Sequence, residues 1–345
     1  MSALRLLLLP FALLFDLVTR IRNRMYDTQW KPSVEFELPV VGVGNLALGG
    51  TGKTPMIEYL IRMLTPHLKV ATVSRGYGRK TKGFRIINST DNAFTVGDEP
   101  FQLYSKYNDR VVVSVGEERA LAIPQLLTEH SDTQVILLDD AFQHRRVKPG
   151  FSILLTEYDS PFYSDYVLPA GRLREHPRGA DRADAIVVTK CPKLVKEDLM
   201  IEILSKIHKY TKKPVFFSTI RYGTPIPMLG QKLTEHKQVI LVSGIANHAP
   251  LEEYVKANFT LMKHFVFRDH HNYSLDDIKS IKKFVEGKKG QVTILTTEKD
   301  RVKLEGETLK EVVSTLPFFY LPIEMKFIRN GKDFDALVLQ LIKRD

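Results

Sequence analysis

The chain has 345 residues, 43% of them hydrophobic and 26% charged, with a formal net charge of +10 and a single cysteine, Cys191. That length suggests about two domains around a sizeable core, and the composition excludes a disordered or low-complexity chain. One cysteine excludes an internal disulfide and fits a reducing compartment, while the positive charge fits an anionic partner (a nucleotide, a nucleic acid or a membrane surface) without choosing among them.

Residues 6–15 are apolar all round, and Asp16 ends the run. Ten helical residues span about 15 Å, roughly half of a bilayer's hydrocarbon core, so the run is too short to cross a membrane. Arg5 ahead of it would suit a secretory signal, but no small-x-small cleavage site follows. Arg20, Arg22 and Arg24 come next, so the segment is either a helix dipping into a membrane surface or one packed on the core.

Residues 34–41 read as a strand, and residues 54–64 as a helix with Ile57, Leu60, Ile61 and Leu64 on one face. Between them, Asn45 leads into Gly49, Gly50, Thr51, Gly52, Lys53, Thr54 and Pro55. Strand, glycine-rich turn, Lys-Thr and helix is the order of a phosphate-binding loop. Backbone N–H groups converge on phosphate oxygens, Lys53 reaches the terminal phosphates, and the Thr54 hydroxyl meets Mg²⁺. Ala47 stands where the usual pattern has its first glycine. A bound nucleoside triphosphate is expected.

A short strand at 70–74 delivers Arg75 and Arg79, set in a Gly-Tyr-Gly turn that is either a phosphate or substrate contact or merely solvated. Gly97, Asp98, Glu99 and Pro100 precede a short helix at 101–107, and on capping preference alone Asp98 reads as a cap. A strand at 111–115 and a helix at 117–130 lead to an apolar strand, 134–140, ending in Asp139 and Asp140. Such a strand end holds Mg²⁺ beside the phosphate-loop hydroxyl. A strand at 152–156, an irregular stretch at 157–183, a strand at 185–189, a helix to about 210 and a strand at 215–221 follow. This alternation predicts a doubly wound, largely parallel α/β sheet.

Residues 222–227 read as a boundary before a smaller series. It comprises a strand at 238–243, a helix to about 256, a strand at 261–267, and the sequence Asp269-His270-His271. A capping box at Ser274 opens a helix to 286, followed by a strand at 291–296, a charged turn at 297–301, a strand at 316–321 and a helix at 334–342. Two histidines with no third ligand nearby argue against a metal centre there.

The segments 44–55, 74–79, 97–100, 139–146, 169–175, 267–271 and 297–300 keep their order over about residues 40–303. Together they resemble the tetraacyldisaccharide 4'-kinase family of lipid A biosynthesis. The resemblance implies a helix at 1–28 associated with the membrane, a P-loop domain at 29–221, and a smaller α/β/α domain at 222–345 closing over the site. It implies transfer of the ATP γ-phosphate, with Mg²⁺, to the 4'-hydroxyl of a tetraacylated diglucosamine 1-phosphate, giving lipid IVA. It also implies peripheral attachment to the cytoplasmic face of the bacterial inner membrane. By position, Lys53 and Thr54 take phosphate-loop roles, Asp139 and Asp140 are the acidic pair near Mg²⁺, and Asp98 becomes the catalytic carboxylate rather than a cap. His270, rather than His271, is its hydrogen-bonding partner, and Arg75, Arg79, Arg172 and Arg174 are candidates for the substrate 1-phosphate. No obligatory protein partner is expected. No nucleic-acid partner is expected either, since no dense Lys/Arg tract with interleaved aromatics occurs. The rival reading is a membrane-associated P-loop ATPase or GTPase switch acting on a protein partner.

Overall fold

Val40–Asn45, Val135–Asp139 and Ala185–Thr189 are strands in which every residue is buried, the pattern of strands covered on both faces. In the computed structural model, which describes residues 3–231, 237–287 and 292–342, they lie inside a nine-stranded sheet. Its order is Ile323–Phe327, Val215–Tyr222, Ala185–Thr189, Phe151–Glu157, Val40–Asn45, Val135–Asp139, Val70–Ser74, Val111–Val115, Arg85–Ile86. The inner strands are mutually parallel and both edge strands are antiparallel. Alternate residues of each strand enter different cores. Val41 and Val43 pack with Ile57, Leu60 and Ile61 of helix Lys53–Leu64, whereas Val40, Ile136 and Leu138 pack with Ile123 and Leu126 of helix Arg119–Glu129. Helices therefore cover both faces.

The second sheet has five strands in the order Thr260–Val266, Gln238–Ser243, Thr293–Thr297, Phe318–Leu321, Ile226–Pro227, with only the last antiparallel. Ile278 and Ile281 of helix Leu275–Glu286 seal one face, and Leu251 and Val255 of helix Ala249–Asn258 seal the other. Ser274 and Asp277 form the expected capping box.

Several boundaries differ from expectation. The first strand starts at Val40 rather than 34 and runs through Gly44 and Asn45, because Val34 pairs instead with Val147 outside the sheet. The charged turn expected at 297–301 is the start of helix Glu298–Leu304, since the Thr297 side chain accepts from Asp300 N–H and caps it. Gln291, expected to begin a strand, lies outside the described residues, and the strand is Thr293–Thr297. The chain beyond 222 does not stay with the second sheet. After Pro322, strand Ile323–Phe327 returns to pair with Val215–Tyr222, and helix Gly331–Ile342 inserts Phe334 and Val338 into the first core. The second sheet is thus inserted between two parts of the first, and the chain crosses between them twice, side by side at Tyr222 and Ile323.

A buried charge cluster joins the two sheets at that crossing. Lys106 Nζ donates to Glu58 Oε2 at 2.7 Å and to Glu298 Oε1 at 2.8 Å, and Glu298 Oε2 accepts the N–H of Ile323. Burial pushes the Glu58 carboxyl up; burial also opposes the charge on Lys106, but its two carboxylates outweigh it and raise its pKa. Truncating one partner of such a cluster strands a buried charge, so its loss is costly.

Helix Ala3–Asp27 is longer than the apolar run that announced it. Its C-terminal half is tied down by Asn23 to Glu175, Arg22 to the Gln143 carbonyl and Arg145 to Asp27. Leu7 and Phe11 are 70% and 62% exposed, and Leu14, Leu17, Val18 and Ile21 continue an exposed apolar stripe. Among the described residues no helix is long and apolar enough to cross a membrane.

Candidate active site

The glycine-rich turn sits at the carboxyl end of strand Val40–Asn45 and is built from within. The Asn45 side chain donates to the Ala47 carbonyl at 2.7 Å and to Thr51 Oγ1 at 2.8 Å, while Thr189 Oγ1 donates to the Thr51 carbonyl. Gly49 and Gly52 have φ of +113° and +91°, left-handed conformations that favour glycine. No side chain caps helix Lys53–Leu64, so its first N–H groups are not taken by a capping residue, as an anion cradle would require. The stretch 157–183 folds over the turn, with Leu48 N–H donating to the Arg172 carbonyl and Arg174 N–H to the Leu46 carbonyl.

Asp139 ends a parallel strand beside this turn, and Asp140 follows it in a left-handed conformation with φ +48° rather than in the strand. Arg174 Nη1 holds both Asp140 oxygens at 2.9 and 3.0 Å, and Lys53 Nζ stands 3.7 Å from Oδ1. Burial pushes the Asp140 carboxyl up, but the Lys53 and Arg174 charges outweigh it and hold it below its ordinary value. Asp139 is different: its Oδ1 is buried with no hydrogen-bond partner. Burial first, then the Glu99 charge, push its carboxyl up to about 7. An orphaned, buried carboxylate oxygen next to a second carboxylate fits a hard divalent cation such as Mg²⁺. Buried Arg119 donates to the Asp139 carbonyl at 3.0 Å. Neither Glu99 nor Arg119 was singled out by sequence, because no spacing rule marks a residue whose partner lies on another strand end.

Asp98 is the first residue of helix Asp98–Tyr107 but caps nothing. Its Oδ2 lies 3.0 Å from His270 Nδ1 and 3.3 Å from Lys303 Nζ. Burial works to raise its pKa; the His270 hydrogen bond and the Lys303 charge outweigh that and lower it. The local backbone explains the placement. Gly97 has φ +96°, and a Cβ there would lie 3.0 Å from the Tyr77 carbonyl, so the 75–79 turn packs directly under Asp98. The Tyr77 ring in turn stands 5.6 Å from the His270 ring, a contact no motif announced. Lys299 Nζ donates to His270 Nε2 at 3.1 Å and to Asp269 Oδ1 at 3.0 Å. His271 points elsewhere, pairing with Asp277 at 3.0 Å and stacking on Phe267. Of the two histidines it is thus His270 that is hydrogen-bonded to Asp98, and the Asp98 side chain caps no helix.

The four arginines separate. Arg79 Nη2 is turned inward onto Glu117 at 2.5 Å and the Gly83 carbonyl at 2.6 Å, while its Nε and Nη1 are buried without a partner. Arg174 grips Asp140, and Arg172 is paired with Asp165 at 3.1 Å. Arg75 is exposed and makes no ion pair among the described residues. A second constellation, Ser243 Oγ to His264 Nε2 at 2.8 Å and His264 Nδ1 to Glu252 at 2.9 Å, resembles a hydrolytic triad, but Ser243 is only 1% exposed and closed to substrate.

Comparison with known proteins bears on this site as a whole. The family model described as tetraacyldisaccharide-1-P 4'-kinase, LpxK, matches residues 4–343. A tetraacyldisaccharide 4'-kinase of Flavobacterium johnsoniae is 45% identical over 349 residues, covering 100% of this chain and 99% of that protein. One of Cytophaga hutchinsonii is 42% identical, covering 94% of this chain and 92% of that protein. The crystal structure of LpxK from Aquifex aeolicus in complex with ATP superposes with a TM-score of 0.77 at 28% identity, covering 98% of this chain and 99% of that one. The rival expectation of a switch acting on a protein partner is not favoured by these matches. With full-length relatives well above the identity at which families diverge, the chain belongs to the tetraacyldisaccharide-1-P 4'-kinase family.

Proposed function

We propose that this chain transfers the γ-phosphoryl group of ATP to the 4'-hydroxyl of a tetraacylated diglucosamine 1-phosphate, forming lipid IVA. The observation that supports this reading most is the Asp98–His270 pair, one member on a helix packed on the first sheet and the other on the loop after strand Thr260–Val266 of the second. In this reading the nine-stranded sheet is a doubly wound P-loop domain, the second sheet is a smaller domain, and their approach assembles the pair. The turn 45–55 cradles the nucleotide phosphates, with the backbone N–H groups of Gly49, Gly50 and Gly52 as donors, that of Thr51 being given to the Gly49 carbonyl at 3.1 Å, and Pro55 sits in the first turn of the helix, where a missing N–H costs nothing.

The chemistry follows from the groups present. The sugar O–H bond breaks as its oxygen bonds to the γ-phosphorus, the bond from that phosphorus to the β,γ-bridging oxygen breaks, and ADP leaves. The Asp98–His270 pair receives the proton. Asp98 Oδ1 is free of hydrogen bonds among the described residues and is the pair's open acceptor, since His270 Nε2 already accepts from Lys299. A carboxylate with a lowered pKa suffices here because the proton departs late in a loose phosphoryl transfer. Lys53 neutralises charge on the transferring group. Thr54, Asp139 and Asp140 would hold Mg²⁺, which when bound supplies charge neutralisation and alignment of the phosphates. Arg75 and Arg172 remain the candidates for the 1-phosphate. ATP consumption measured with acylated disaccharide, with polynucleotide and with neither tests the assignment. Turnover is expected only with the first, and equal turnover in all three overturns it.

In the same reading the exposed stripe of helix Ala3–Asp27 lies in the surface of the cytoplasmic leaflet, its arginines beside anionic headgroups. Contiguous exposed apolar surface of this kind marks an interaction site. Leu7, Phe11 and Leu14 share one helical face, so replacing all three with serine moves the protein to the soluble fraction and raises KM for micellar acceptor. ATP binding stays unchanged. Unaltered partitioning would assign the stripe another role.

A further inference from the structure

Helix Glu298–Leu304 presents two lysines one turn apart to the catalytic pair, Lys299 to His270 and Lys303 to Asp98. Lys303 is the less ordinary of the two. Its side chain is 2% exposed, and its Nζ lies 3.3 Å from Asp98 Oδ2 and 3.6 Å from Asp300 Oδ1, yet neither contact is aligned as a hydrogen bond. The Tyr273 ring lies beneath it at 5.9 Å. Asp300 is itself wholly buried and anchored, accepting from Gly244 N–H at 2.9 Å and from Thr297 Oγ1 at 2.8 Å. A buried ammonium thus bridges a fixed carboxylate of the second sheet and the reactive carboxylate of the first. Burying an ammonium is costly, and Asp300 alone would serve to neutralise it without Asp98.

We infer that Lys303 is a positioning residue for the phosphoryl transfer, docking the Asp98 carboxylate against the second sheet so that it meets His270. The inference rests on the kinase reading and adds to it. Because Asp98 Oδ2 serves both Lys303 and His270, the lysine fixes which oxygen pairs with the imidazole and leaves Oδ1 open. The other charged groups around Asp98 are Glu99 on its own helix, Asp269 beside His270, and Lys299 and Asp300 on the lysine's helix. Of all these, His270 and Lys303 are the ones within ion-pair distance of it.

The test uses full-length protein in detergent micelles. Lys303→Met lowers kcat roughly tenfold to a hundredfold with KM for ATP nearly unchanged, because misplacement of a reacting group costs rate while the phosphate loop is untouched. The acid limb of the kcat profile moves to higher pH by about one unit, since the cation that favours the ionised carboxylate is gone. Lys303→Arg restores part of the rate. Should Lys303→Met strand Asp300 and fail to fold, Lys303→Met with Asp300→Asn removes both charges and carries the same expectation. The Asp98 carboxyl titration, read by ¹³C NMR with no acceptor present, moves up in the variant whether or not the kinase reading holds, so the two ideas fail separately. A folded variant with wild-type kcat, or an unmoved Asp98 titration, overturns the inference and leaves Lys303 as a neutraliser of Asp300 alone.

Discussion

Replacing Asp98 with asparagine lowers kcat for phosphoryl transfer at least about a hundredfold while KM for ATP changes less than about threefold. Asparagine keeps the size and the contact with His270 but cannot take a proton, and it offers Lys303 no charge. The helix it begins has no side-chain cap to lose, but the carboxylate's ion pairs with His270 and Lys303 go, so the melting temperature falls by a few degrees while the fold is kept. Steady-state kinetics in micelles with a thermal melt of the same preparation check both halves. Near-normal turnover in a folded protein would remove Asp98 from the chemistry and return the proton to another group.

Replacing Asp139 with asparagine has the second large effect, and it runs in opposite directions for activity and stability. Transfer falls at least about a hundredfold, and the Mg²⁺ concentration for half-maximal rate rises, because a charged oxygen ligand is gone. In the absence of metal, however, the variant melts at or above the wild-type temperature. Wild-type Asp139 carries a buried oxygen without a partner and a carboxyl pushed up to about 7, so an amide relieves a burial penalty rather than creating one. A destabilised, metal-free variant would mean that the carboxylate serves the fold and not the cation.

The parts of this site that were legible in the sequence are those whose meaning is local. Lys53 and Thr54 follow a glycine-rich turn between a strand and a helix, and Asp139 and Asp140 end an apolar run. In both cases neighbouring residues carry the chemistry. Asp98 shows the opposite. Read alone it is an acid before a helix, and its partner lies 172 residues away, so only a pattern spread over the whole chain could reassign it. Lys303 sits in a stretch that reads as surface charge, yet tertiary packing of helix Glu298–Leu304 against the Asp98 helix buries it. Arg79, too, is drawn inward by a distant partner, Glu117, 38 residues away. The return of strand Ile323–Phe327 to the first sheet was equally hidden. Pro322 interrupts the run, and nothing short-range distinguishes a fifth parallel strand from an antiparallel edge strand of another sheet.

The insertion of one sheet within the other bears on how the site closes. Asp98 belongs to the first sheet's helices, and His270, Lys299 and Lys303 belong to the second. The two halves are joined by paired crossings at Tyr222 and Ile323 and by the Glu58–Lys106–Glu298 cluster. Lys106 lies on the same helix as Asp98, so that helix touches the second sheet's helix at both ends. Helix Lys53–Leu64 starts at the glycine-rich turn and contributes Glu58, which ties that turn to the same junction.

The proposed transfer of phosphate from ATP, held at the 45–55 turn, to a glucosamine alcohol is open to one direct measurement. Purified full-length protein, labelled ATP and tetraacyldisaccharide 1-phosphate in micelles test it, with the lipid product analysed by fragmentation mass spectrometry. The expected product is a lipid heavier by one phosphoryl group carried on the 4'-oxygen, formed in step with ADP. Release of labelled inorganic phosphate at the same rate with or without acceptor, and an unmodified lipid, would contradict it.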